Sequence, residues 1–214
     1  MKSAPWFVLV AGINGAGKST FSQNSATLVE LLALSSADSI EVLNPDTITR
    51  AILKEHPELD LAGANRRAAD QCDSVVRERI EAKHGHFVVE TVLASDKYKG
   101  IVERAQNLGW NILFVYVALA SIDESVSRVA TRVGQGGHDV PEAKIRKRWP
   151  ISFGNLPWFW LRVESSLLFL NPPRFGSPKL LAAKQEGWTR ILLTKECPHA
   201  VSHLLEATAK ECGV

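Results

Sequence analysis

No stretch of this sequence is apolar for long enough to cross a membrane. After Met1-Lys2-Ser3-Ala4-Pro5 the first apolar run lasts about half a dozen residues, too short for the core of a signal peptide. Residues 111–120 (Asn-Ile-Leu-Phe-Val-Tyr-Val-Ala-Leu-Ala) are equally limited against the roughly 20 that a spanning helix needs, and predict a buried strand instead. Cysteine is scarce: Cys72, Cys197 and Cys212 lie far apart with no paired metal spacing. That argues against a zinc site or a disulfide framework and points to a reducing cytoplasm. Charge of one sign is lacking too, because the net charge is only +2. Nucleic acid and anionic membranes require a concentrated basic surface, so neither is expected as a partner and any electropositive site must be local. Internal repeats and low-complexity tracts are missing. What remains is the composition of an ordinary globular chain, 45% hydrophobic and 22% charged, whose 214 residues suffice for one large α/β domain over 1–214.

Trp6 to Ala11 is a compact β-prone run ending in a glycine-rich turn, and from Lys18 to about Leu34 apolar residues return at helical spacing: strand, loop, helix. Ile40 to Leu43 predicts a second strand. It stops at Asn44-Pro45-Asp46, where Asn44 can cap a helix and Pro45 can occupy its first position. A surface helix is expected from Ala64 to Lys83, ending before Gly85, then a strand at Phe87-Val88-Val89 closed by Glu90-Thr91. Tyr98 to Leu108 reads as a helix stopped by Gly109, and Asn111 to Leu119 as the clearest strand. A helix from Ser121 to Val133 carries Arg128 and Arg132, and Gly134-Gln135-Gly136-Gly137-His138 separates it from a basic helix running from Val140-Pro141 to about Trp149. A glycine hinge between two cationic helices suggests a lid at about 128–150. Beyond it, Asn155 to Val163 is aromatic and Ser166 to Leu170 predicts the fifth strand. Leu180 to Lys184 with Thr189 to Leu193 predicts a hairpin around Gly187, and a closing helix follows Pro198.

Between the first strand and its helix the pattern G-x-x-x-x-G-K-[ST] is satisfied by Gly12-Ile13-Asn14-Gly15-Ala16-Gly17-Lys18-Ser19, followed by Thr20. Glycines let backbone amides turn inward around phosphate oxygens, the helix start adds positive potential, and Lys18 supplies a cation for the outer phosphates. Ser19 is the expected Mg²⁺ ligand, and ATP or GTP the expected ligand of the loop. With alternating strands and helices, this predicts a P-loop NTPase three-layer α/β sandwich: a mostly parallel five-stranded sheet, a helical lid and a small C-terminal hairpin.

A P-loop alone leaves kinases, GTPases and mechanical ATPases open. The guanine-reading Asn-Lys-x-Asp segment is missing, and the length leaves little room for the modules of a motor ATPase. The segments Gly12 to Thr20, Asn44-Pro45-Asp46, Glu90-Thr91 and above all Arg128-Val-Ala-Thr-Arg132-Val-Gly-Gln-Gly-Gly-His-Asp-Val-Pro141 resemble the zeta-toxin family of P-loop kinases, in the small form labelled ABC-type ATPase. The resemblance covers roughly residues 6 to 195. It implies MgATP-dependent phosphorylation of a hydroxyl, in characterised toxins on a UDP-linked N-acetylamino sugar such as UDP-N-acetylglucosamine. It also implies a small helical antitoxin as partner.

Residue by residue, the resemblance assigns Asp46 to face the acceptor hydroxyl, a role that agrees with the carboxylate recurrent in phosphoryl transfer; helix capping beside Pro45 is the alternative. Glu90 closes an apolar strand, where it reaches Mg²⁺ through water or contacts the acceptor, or is a solvated loop residue. Thr91 could add a hydrogen bond there. Arg128 and Arg132, four apart and so on one helical face, match lid arginines that neutralise the transferring phosphate, with Arg128 favoured; the alternative is a solvated pair bridged to Asp123 or Glu124. His138 contacts nucleotide or acceptor, or is a surface residue. Arg146 and Arg148 bind a second phosphate group or belong to a basic face with Lys144 and Lys147. Trp158, Phe159 and Trp160 line a pocket or, as aromatic clusters more often do, sit in the core.

The chain departs from the family at Val92, where a second threonine is usual, at Trp149-Pro150-Ile151-Ser152-Phe153, and at Phe169-Leu170-Asn171-Pro172-Pro173. The acceptor is therefore open between a sugar nucleotide and another metabolite, and a nucleotide-dependent switch acting through a protein partner remains the reading from another class.

Overall fold

The computed structural model describes residues 4–35, 39–172, 177–192 and 197–212. Strand β1 (Trp6–Ala11) is buried from Phe7 onward, with Phe7, Leu9 and Ala11 in one core and Val8 and Val10 in the other. Burial on both faces is why its sequence is a continuous apolar run rather than an alternating one. Two short helices follow, α1 (Lys18–Ser22) and α2 (Ser25–Leu31), in place of the single helix expected to about Leu34. Asn24 makes the break: its side chain accepts a hydrogen bond from the Thr27 backbone N–H at 3.2 Å and caps a new helix.

Strand β2 (Ile40–Leu43) leads into α3 (Pro45–Glu55), where Asn44 caps the helix and Pro45 stands in its first turn, as the sequence predicts. Helix α4 (Leu61–Ala82) starts three residues earlier than expected because Asp60 caps it, accepting from Gly63 N at 2.7 Å. Then come β3 (His86–Thr91), α5 (Lys97–Asn107), β4 (Asn111–Ala118) and α6 (Ile122–Gly134), close to their expected bounds.

Helix α7 (Glu142–Arg162) is a larger departure, running through Pro150 and Pro157 to absorb the whole aromatic segment. An interior proline costs about 3 kcal/mol of helix stability. Burial outweighs it: Phe153, Leu156, Phe159 and Trp160 recur at helical spacing and enter the core against Phe114 and Tyr116 of β4. Strands β5 (Ser165–Leu170), β6 (Lys179–Gln185) and β7 (Trp188–Ile191) and helix α8 (His199–Cys212) complete the described chain. Pro173, part of the last departure from the family pattern, and Leu193, expected in a strand, lie outside the described residues.

The strands form one sheet of seven, ordered β2-β3-β1-β4-β5-β6-β7. The first five are parallel. The hairpin is not a separate appendage: β6 pairs antiparallel with β5, Leu168 opposite Ala182, and covers an edge that would otherwise be unpaired. One face of the sheet is covered by α4, α5, α8 and the second half of α7, the other by α2, α6 and the start of α7. This is the expected three-layer α/β sandwich. Among the described residues no helix is long and apolar enough to cross a membrane. Chain order reverses at β1, which sends the chain to β2 on one side and lies beside β4 on the other; the crevice beyond its carboxyl end is the favoured ligand position in such sheets.

Candidate functional site

The turn after β1 is built so tightly that two of its positions exclude a side chain. At Gly12 (φ 144°) an added Cβ would lie 2.3 Å from the Val117 carbonyl oxygen, and at Gly17 (φ 93°) 2.6 Å from Asn171 Nδ2. Both dihedrals also favour glycine. The loop is closed by one internal bond and tied down from two sides. Ala16 N donates to Ile13 O at 3.2 Å, Ser125 Oγ at the start of α6 donates to Asn14 O at 2.6 Å, and Asn171 Nδ2 after β5 donates to Ala16 O at 2.9 Å. Gly15 packs against Arg128, and Thr20 is exposed on α1.

Lys18 opens α1 and folds back over the loop, donating to Gly12 O at 2.9 Å and Ile13 O at 3.1 Å. Loss of hydration lowers its pKa to about 8; Glu90 and Asp46 oppose that shift, while Arg132 and Arg148 add to it. Four charged groups from four separate segments thus converge on one ammonium. Glu90, only 6% exposed, closes β3 beside α1, and both its oxygens accept from serine hydroxyls: Ser19 Oγ at 2.8 Å and Ser22 Oγ at 2.6 Å. These hard oxygen donors fit Mg²⁺, which keeps several waters and binds through one or two protein ligands plus phosphate. Among the described residues no cluster of three or more His, Cys, Asp or Glu could hold a metal ion, so an ion here would draw the rest of its shell from phosphate and water.

Asp46 sits in the first turn of α3, half-buried, but the cap is Asn44, whose Oδ1 accepts from Asp46 N at 2.8 Å. Its carboxylate is therefore not spent on capping, and it acts electrostatically on both Lys18 and Arg148. Arg148, from α7, reaches the loop: Nη1 lies 3.3 Å from Asn14 Oδ1, and burial lowers its pKa against the pull of Asp46. Arg132 donates through Nη2 to the His138 carbonyl at 2.6 Å, so it is the backbone of His138 that takes part.

Other candidates are turned elsewhere. Arg128 pairs with Glu124 at 2.7 Å and donates to the Pro172 carbonyl; among the described residues neither buried Glu124 oxygen has a hydrogen-bond donor. Arg146 is held by Asp123 at 2.9 Å and Glu142 at 2.7 Å. Thr91 Oγ1 accepts from Leu93 N at 3.0 Å, supporting a turn in which Leu93 has φ 59°. Phe159 and Trp160 are fully buried, while Trp158 is half-buried between Lys99 and Arg162, so the aromatic segment is core and surface rather than pocket. A cavity of about 240 Å³ lined by Trp6, Trp110, Asn111 and Glu164 lies at the opposite ends of the strands from Lys18.

The sequence reading passed over Ser22, Ser125 and the tie from Asn171. Ser22 was open to inspection as the residue three after Ser19, on the same helix face. Ser125 and Asn171 carried no local signal, since their contacts join segments more than a hundred residues apart.

Residues 7–148, well over half of the chain, match a family model described as AAA domain. The chain belongs to the AAA domain family. Its AAA domain contains the P-loop, Asp46, Glu90, Arg128, Arg132, Arg146 and Arg148. A relative from Haemophilus influenzae, described only as an uncharacterized protein, is 22% identical over 142 residues, which is 66% of this chain and 91% of the relative. Among solved structures, the AvrRxo1-ORF1:-ORF2 complex with ATP aligns over 95% of this chain at TM-score 0.67 and 14% identity; this chain spans 63% of the chain it matches there. The PezAT chromosomal toxin-antitoxin system of Streptococcus pneumoniae aligns over 99% of this chain and 87% of the other at TM-score 0.62 and 14% identity. Likeness at these identities is likeness of fold.

Proposed function

We propose that this AAA domain protein is an ATP-dependent kinase that phosphorylates a hydroxyl of a small molecule. The observation that carries the reading is the Lys18 ammonium folded over the P-loop, with Ser19 bonded to the buried Glu90 at 2.8 Å and Arg148 reaching Asn14 at 3.3 Å; Asp46 and Arg132 lie near enough for their charges to act on Lys18. Backbone amides of Asn14 to Ser19 and the Lys18 ammonium bind the outer phosphates, with Thr20 flanking them. Ser19 and, through water, Glu90 would hold Mg²⁺, which would supply positive charge against the phosphates. Asp46 orients the acceptor hydroxyl and takes its proton as the acceptor oxygen bonds to the terminal phosphorus; the bond to the bridging oxygen breaks and ADP leaves. Arg132 and Arg148 stabilise the charge that builds on the transferred group. Arg128, engaged by Glu124 and Pro172, takes the place of a strut between α6 and the end of β5. The resemblance gives Thr91 and His138 to the acceptor side, where Thr91 would act by supporting a turn and His138 through its carbonyl.

The resemblance of the segments from Gly12 to Pro141 to zeta toxins supports UDP-N-acetylglucosamine as acceptor and a helical antitoxin as partner. The fold shared with the PezAT system is in keeping with that reading. A different metabolite as acceptor is favoured by one feature: the segment after Trp149 enters the core with Phe153, Leu156 and Phe159, so the wall it would lend to an acceptor pocket is changed.

The test is incubation of the protein with MgATP, with and without UDP-N-acetylglucosamine, following ADP and phosphorylated sugar nucleotide by mass spectrometry. Lys18→Ala is expected to abolish nucleotide turnover, and Asp46→Asn to keep ATP binding while lowering turnover on the order of a hundredfold or more. ADP formation that no acceptor stimulates and that Asp46→Asn leaves untouched would reject the kinase in favour of a nucleotide-dependent switch.

A further inference from the structure

We infer that Gly137 is a positioning residue for Arg132: by having no side chain it lets the arginine stem lie against the loop, with the guanidinium aimed into the phosphate site. The local geometry is a Schellman motif. Helix α6 ends at Gly134, Gln135 is its C-cap, Gly136 N donates to Val133 O at 2.9 Å, and Gly137 N donates to Arg132 O at 2.9 Å. In this motif the residue at the position of Gly137 ordinarily packs a hydrophobic side chain on the residue at the position of Arg132. Here that contact is replaced by backbone. A Cβ on Gly137 would lie 2.4 Å from Arg132 Cγ and 2.9 Å from the Arg132 carbonyl oxygen. Gly136, by contrast, has φ 81° and open space around it. The two glycines therefore do different work: Gly136 supplies a left-handed backbone that ends the helix, whereas Gly137, outside that region of φ, supplies room.

The room is used by a side chain that has one unmet valence. Arg132 Nη2 donates to the His138 carbonyl at 2.6 Å, but Nε is buried with no hydrogen-bond partner among the described residues. A buried unpaired donor is costly, and a group held in that state suits a site that awaits an anion. Helix α6 is docked on the loop through Ser125, which donates to Asn14 O at 2.6 Å, and through Arg128, whose Cβ faces Gly15; Arg132 follows one turn later, near enough for its charge to act on Lys18. Pinned between the Gly137 backbone and the His138 carbonyl, the guanidinium is set in place before nucleotide arrives, which is where electrostatic catalysis gains most. The consequence for turnover rests on the kinase reading; the geometric claim does not.

The two are separated by pairing a spectroscopic readout with kinetics. In ¹⁵N-labelled protein the Arg132 Nε–H resonance is identified by its loss in Arg132→Lys. Gly137→Ala is expected to shift or abolish that resonance, and to lower MgATP turnover on the order of a hundredfold, as misplacement by about an ångström can. Combined with Arg132→Ala it should lower turnover no further than Arg132→Ala alone, and its Tm should recover in part, because the colliding stem is gone while the 2.9 Å approach to the carbonyl of residue 132 remains. Gly136→Ala should lower Tm through backbone strain while leaving the Arg132 resonance and turnover near those of the parent. An Arg132 resonance unmoved by Gly137→Ala, or lost equally in Gly136→Ala, would overturn the assignment. If the parent turns over MgATP no faster than Lys18→Ala, the kinase reading falls and the resonance alone decides the role of Gly137.

Discussion

Glu90 is buried at the end of a central strand with no cation among the described residues hydrogen-bonded to it, a placement that costs several kcal/mol for a bare carboxylate. Hydroxyls of Ser19 and Ser22 offset part of that cost by donating to separate oxygens, and the Lys18 charge is close enough to act on it. Glu90→Gln tests which property matters. The amide has nearly the same volume and can accept one serine hydroxyl while donating to the other, so Tm should fall by only a few degrees. Loss of the negative charge should weaken Mg²⁺ use on the order of 10- to 100-fold, seen as a rightward shift when turnover is titrated with Mg²⁺. A normal Mg²⁺ response would leave Glu90 a purely structural acceptor. At this scale the sequence was informative about residues fixed by strand ends, since Lys18, Ser19, Asp46 and Glu90 each follow a short apolar run. It was uninformative about arginines, whose long stems choose partners by tertiary position. Arg128 goes to Glu124 and Pro172, while Arg132 and Arg148 stand with Lys18.

Helix α7 joins the site to the core. Its first half contributes Ile145 to one side of the sheet and Arg148 to the loop, and its second half buries Phe153 through Trp160 on the other side. Trp160 is the anchor: fully buried, it donates its indole N–H to Thr208 Oγ1 on α8 at 3.1 Å. Trp160→Ala should cost about 3–5 kcal/mol in urea denaturation, and a loss well below 1 kcal/mol would mean the helix repacks around the void. Local signals could not foretell this element. Prolines at 150 and 157 are the usual marks of a helix end, and only contacts with β4 and α8, distant in sequence, make them tolerable. The joining of β6 to β5 was hidden for the same reason, because strand pairing across a turn is settled by which edge is left open. Strands β1 and β4 were legible because burial on both faces writes itself into consecutive residues. The break between α1 and α2 was written there too, in Asn24, a residue that favours caps over helix interiors.

Across the whole molecule the site joins the most enclosed part of the fold to one of its most exposed. β1 lies between β3 and β4, and Phe7 to Ala11 have no accessible surface, whereas Gln135 to Gly137 between α6 and α7 are exposed. Amide hydrogen exchange should report this as two rates within one site. Amides of Phe7 to Ala11 should exchange only when the entire protein unfolds, and those of Gln135 to Gly137 through local opening at far lower free energy. Addition of MgATP should slow the second group markedly; equal protection of both groups without nucleotide would contradict the picture. A phosphate bound here would be gripped on one side by a surface that does not yield and on the other by one that can leave. Product would then depart on the side of α6 and α7, and the direction of that departure would be set by which wall is exposed rather than by the sheet.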